Sequence, residues 1–186
     1  MRPFILMMLC VGAVMAVGCG DDDGSTPPRD GSMPDPRSCG SVAAMTVGRC
    51  VLGAGGDCRG AAEEVAGTYN MTALSGGDGM TMVIGPQGST MLVFMVQATG
   101  IDAGDAATES TQPLVQVTLY DGATQIAMLR QRTPFTGSGP YVSGQLWVVV
   151  DAVSSSLAGH TITAVATLTD RTGGERCGIV NVVPHT

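Results

Sequence analysis

A chain of 186 residues with 44% hydrophobic and 13% charged residues has the length and apolar content for one packed domain plus appendages, which excludes a disordered chain and leaves little room for two full domains. Its nine basic residues, all arginine, face sixteen carboxylates for a formal charge of -7. That balance argues against nucleic acid as a partner, because such binding needs a basic face to displace condensed counterions.

In chain order, Arg2 is followed by an uncharged apolar run over residues 4–17. As a helix it would span about 21 Å, short of the roughly 30 Å hydrocarbon layer, so it predicts an export signal and not a membrane span. A buried N-terminal helix is the alternative, but the run is not amphipathic and the acidic, proline-containing stretch after it offers nothing to pack against. The segment ends in Ala16-Val17-Gly18-Cys19, which resembles the lipobox of bacterial lipoproteins. The resemblance implies removal of residues 1–18 and acylation of Cys19. Such lipoboxes usually carry leucine three positions before the cysteine, where Ala16 stands here, and ordinary cleavage nearby is the other reading. With each buried methylene worth about 0.8 kcal/mol, more than one acyl chain gives a durable membrane anchor. Gly20, not aspartate, follows Cys19, which by resemblance to the sorting of such lipoproteins points to the outer membrane over the inner.

Residues 19–37 read as a lipidated terminus and tether: the stretch from Gly20 holds five aspartates, four prolines and one sizeable apolar residue, Met33. It buries too little to offset its ordering entropy, and it reaches about 25 Å as a coil or about 55 Å if polyproline-like. Asp21, Asp22 and Asp23 lack the alternate spacing of a calcium loop.

The domain is expected over 38–186. Segments rich in Val, Thr, Ile and Leu between glycine-containing turns predict strands over 42–51, 68–74, 80–84, 90–98, 114–120, 124–131, 142–150, 161–169 and 177–183. Asp121-Gly122 predicts a tight hairpin turn between two of them. Thr161, Thr163, Thr167 and Thr169 alternate with Ile162, Ala164, Ala166 and Leu168, placing hydroxyls toward water and aliphatics toward a core. The runs 91–96 and 146–150 do not alternate and predict strands covered on both faces or protected at an edge. The fold class is therefore all-β, an antiparallel sandwich. Residues 68–184, with the Leu157-Ala158-Gly159 turn leading into the strand at Thr161, resemble bacterial immunoglobulin-like domains in pattern. The antibody-type spacing of two cysteines around a tryptophan is not reproduced, so other Greek-key or jelly-roll topologies stay open.

With Cys10 in the signal and Cys19 given to lipid, Cys39, Cys50, Cys58 and Cys177 remain. An even number in an exported domain predicts two disulfides, and spacing alone does not choose among three connectivities. The preferred pairing is Cys39 with Cys177, pinning the start of the domain to its last strand, and Cys50 with Cys58, closing a glycine-rich loop.

Catalytic motifs are missing. No serine has the offsets of G-x-S-x-G, and there is no H-E-x-x-H and no phosphate-binding loop. Zinc is not expected without C-x-x-C or paired histidines. Cys177 and His185, with seven residues between them and no methionine following, depart from the clustered loop of blue-copper proteins, while Met80 and Met82 offer thioethers on one strand face. Carboxylate-pair catalysis needs only two acids at the right separation, which sequence does not give, and Asp102 and Asp105 form an acidic loop, yet Tyr69, Tyr120, Tyr141 and Trp147 are few rings to line a sugar cleft. The expectation is a cell-envelope lipoprotein that is not an enzyme, needs no cofactor, and serves as a binding or structural module. Its partners would be the membrane, through the anchor, and an envelope protein or glycan. The alternatives are a glycan- or metal-binding domain, for copper or calcium, and then a carboxylate-dependent hydrolase.

Overall fold

A computed structural model describes residues 35–50, 64–65, 68–69, 71–85, 87–151 and 154–186. The expected signal, Cys19, the tether up to residue 34 and Cys58 lie outside them. The strands in chain order are β1 (Ala43–Ala44), β2 (Thr46–Cys50), β3 (Glu64–Val65), β4 (Thr68–Tyr69), β5 (Met71–Ala73), β6 (Asp78–Thr81), β7 (Val83–Ile84), β8 (Thr90–Ala98), β9 (Leu114–Asp121), β10 (Thr124–Arg132), β11 (Phe135–Thr136), β12 (Tyr141–Ser143), β13 (Leu146–Val150), β14 (Ile162–Thr169) and β15 (Glu175–His185).

They form two sheets that pack as a sandwich, with a separate β3–β4 pair. The first runs β10-β9-β14-β15, antiparallel throughout, and β15 carries β1 and β6 in parallel. The second is built around β8, which pairs with β12 and β13 as well as with β2 and β7. β8 pairs with β13 in one sheet while β10-β9-β14-β15 form the other, so chain neighbours cross between the layers of an all-β sandwich.

Period-two patterning decides which side chains meet between the sheets. Ile162, Ala164, Ala166 and Leu168 of β14 join Val115, Val117 and Leu119 of β9 against Leu92, Phe94 and Val96 of β8 and Leu146 and Val148 of β13. β8 is covered on both faces as expected: Val93 and Met95 point outward yet are buried in a second cluster with Tyr69, Met71, Val83 and Trp147. The same expectation fails for β13, whose outward Val149 is 48% exposed. An apolar run reads alike whether its outer face is capped or bare, and only the long-range partner decides.

Two expected strands break where the chain changes sheets. After β1 pairs with β15, Met45 donates its N–H to Cys177 O, and the chain continues as β2 on β8. Likewise Met82 N–H reaches His185 O between β6, on β15, and β7, on β8. Both methionines are buried in the core and close the same flank of the sandwich. The crossing requires Gly178, since a Cβ there would lie 2.5 Å from Met45 O and 2.9 Å from Val47 Cγ2. The β9–β10 turn also shifts: Asp121 pairs with Thr124, so Gly122, at φ +57°, and Ala123 form the loop, one residue later than expected.

Candidate functional site

One end of the sandwich gathers the acidic 99–113 loop between β8 and β9 and the tight turn between β14 and β15. Asp170, buried at the end of β14, ties them together. Its Oδ1 accepts from Thr172 N–H at 2.9 Å, Thr172 Oγ–H at 2.7 Å and Gly174 N–H at 2.8 Å, and its Oδ2 accepts from Asp102 N–H at 3.1 Å. Burial pushes this carboxyl up, but the Thr172 hydroxyl and the three N–H groups outweigh burial and hold it below the usual carboxylate range. Gly174 leaves the room, because a Cβ would fall 2.7 Å from Asp170 Oδ2.

The two loop carboxylates, the candidates for the alternative of a carboxylate-dependent hydrolase, are occupied in the same manner. Asp102 accepts from Gly104 N–H and from Arg171. Asp105 accepts from Ala107 N–H and Thr108 Oγ–H, which lower its pKa. Arg176 donates to Thr99 O and Gly100 O, and Arg132 to Gln112 O. A carboxyl held ionised by such donors has no proton to give at neutral pH, so Asp105 and Asp170 are built as turn-forming acceptors, poorly suited to general-acid work.

A second feature lies on the outer face of the first sheet. The segment before β1 is fastened there by Cys39–Cys177, the disulfide preferred from sequence, with 5.5 Å between Cα atoms. Cys39 is half-buried, whereas Cys177 is buried with Tyr120 and Val165. Val165 sits in the outward register of β14, between the threonines expected to face water, and the segment carrying Cys39 is what packs against it. Arg37 anchors the segment further by donating to Gly122 O at 3.1 Å and to Asp35. Beside the disulfide opens a groove of about 200 Å³ lined by Ser38, Cys39, Val42, Thr167, Arg176 and Cys177, among others.

The remaining sequence candidates are dispersed. Cys50 is disulfide-bonded, and its partner lies outside the described residues. Cys177 has no thiol to offer a metal; His185 meets Thr81 Oγ1 at 3.2 Å, and His160 meets Asp121 at 3.2 Å. Met80 and Met82 are buried in the core. Tyr120 lies under the fastened segment and Tyr141 against the main core, leaving Tyr69 and Trp147 as the two rings that share a cluster. Among the described residues, no group of three or more His, Cys, Asp or Glu is placed to hold a metal ion, and no helix is long and apolar enough to cross a membrane.

Asp170 and the groove beside the disulfide were missed from sequence. Asp170-Arg171-Thr172-Gly173-Gly174 does carry a signal, an aspartate two residues before a threonine and ahead of paired glycines, which is an Asx-turn pattern. The groove has no such signal, since it forms between segments 138 residues apart. Comparison with protein-family models and with curated proteins returns no match.

Proposed function

We propose that this chain is an exported lipoprotein, acylated on Cys19, whose sandwich serves as a non-enzymatic binding or structural module held off the outer membrane by an acidic, proline-rich tether. The observation that carries the reading is the Cys39–Cys177 crosslink. A disulfide between the first residues of a domain and its last strand belongs to an oxidising compartment, which is where the lipobox-like leader would deliver it. The loop carboxylates support the non-enzymatic part, because each of Asp102, Asp105 and Asp170 is used to shape a turn.

Metabolic labelling with an alkyne fatty-acid analogue tests the anchor. The wild-type chain should carry label in the membrane fraction, and Cys19→Ala should lose both the label and the membrane association. Label that persists in Cys19→Ala, or a wild-type chain without label, would overturn the reading.

A further inference from the structure

We infer that the Cys39–Cys177 disulfide is a site of thiol–disulfide exchange with a dithiol, and that its reduction unfastens residues 35–44 from the sandwich while leaving the sandwich folded. The inference goes beyond the lipoprotein reading and rests on it only for the consequence at the membrane.

Three observations carry it. First, the two cysteines differ in access: both line the groove of about 200 Å³, but Cys39 is half-buried while Cys177 is buried. An incoming thiolate therefore meets Cys39 as the more open of the two. Second, among the described residues the fastened segment is joined to the body by little else. β1 contributes two parallel pairs with β15, Arg37 donates to one carbonyl, and the buried apolar cluster it joins is small, formed by Tyr120, Val165 and the two cysteines. Third, the principal core does not depend on the segment, because its first member in the chain is Met45, just after β1. Local opening of a weakly joined segment costs far less than global unfolding.

The exchange balances. One thiolate of the dithiol bonds to Cys39 Sγ, and the Sγ–Sγ bond breaks with its electron pair staying on Cys177, which takes a proton from water. The second thiolate of the dithiol then attacks its own sulfur in the mixed disulfide, releasing Cys39 as a thiolate and closing the dithiol into a disulfide. Two electrons pass from the dithiol to the protein. Freed to Met45, the segment adds about 20 Å to the reach of the tether. It also uncovers Tyr120 and Val165 and part of the β15 edge.

The test treats the intact oxidised chain with excess dithiothreitol at 25 °C without denaturant, blocks new thiols with a mass tag, and follows amide exchange. The expected result, with tags located by peptide mapping and so kept apart from any on the separate Cys50 disulfide, is tagging of both Cys39 and Cys177, with amides of residues 35–45 exchanging at least about tenfold faster and those of β8, β9 and β14 unchanged. The Cys39→Ser/Cys177→Ser chain, untreated, should give the same exchange map. Tagging that requires denaturant, or loss of protection across β8, β9 and β14 in either sample, would overturn the inference. Because no acyl group is involved, this outcome is independent of the Cys19 labelling.

Discussion

Asp170 is the point at which a single carboxylate decides the geometry of two loops. Its Oδ1 takes three donors from its own turn, and its Oδ2 takes the one donor, Asp102 N–H, from the loop between β8 and β9. Asp170→Ala strands all four in a site where Asp170 itself is 7% exposed. At roughly 1 kcal/mol or more for each bond to a charged acceptor, reduced because some donors regain water, the expected loss is about 2 to 4 kcal/mol. Asp170→Asn separates the two loops. Its amide oxygen can replace Oδ1, but its NH₂ then faces Asp102 N–H, donor against donor, for a loss of about 1 to 2 kcal/mol. The pH dependence follows from the lowered pKa. The folded state binds the proton less readily than the unfolded chain, so the stabilisation is fully present above about pH 4 and is lost as pH falls through the folded value. Urea unfolding followed by fluorescence of the single tryptophan, Trp147, at pH 7 and near pH 2.5 gives the comparison. The gap between wild type and Asp170→Asn should narrow at the lower pH. An Asp170→Ala chain as stable as wild type, or a gap to Asp170→Asn independent of pH, would refute the role given to this carboxylate.

Phe94, fully buried between the sheets, should cost about 3 to 5 kcal/mol as Phe94→Ala, read as a lower urea midpoint. Gly178→Ala should cost about 1 to 3 kcal/mol, because the new Cβ meets the backbone of the crossing at Met45, and calorimetry would register the loss. Replacing Cys39 and Cys177 together by serine removes a crosslink spanning 138 residues, worth up to roughly 5 kcal/mol of chain entropy. For a domain of this size, that lowers Tm by about 10 to 20 °C, with the chain still folded at 25 °C.

What the sequence made legible was local. The alternation of Ile162, Ala164, Ala166 and Leu168 fixed which face of β14 meets the core, and glycine after Asp121 fixed a hairpin to within one residue. The pairing of Cys39 with Cys177 was also anticipated, from the logic of joining the first and last parts of the domain. What stayed hidden depends on partners far away in the chain. Residues 42–51 and 80–84 each read as one strand, but Met45 and Met82 turn their N–H groups to Cys177 O and His185 O, and the strands split between sheets. The outer faces of β8 and β13 are equally apolar in sequence, yet Tyr69, Met71 and Trp147 cover Val93 and Met95 while Val149 is left open. Asp102 and Asp105 were legible as an acidic loop but not as turn acceptors, since Arg171 meets Asp102 from across 69 residues.

The intact mass of the mature chain, isolated without reductant from the membranes of cells that make it, tests the central claim most directly. The account predicts a chain beginning at Cys19, heavier than its peptide mass by acyl groups on that residue, with Cys39 and Cys177 recovered in one crosslinked peptide. A chain that keeps residues 1–18, or one whose Cys39 and Cys177 are both free thiols, would contradict it.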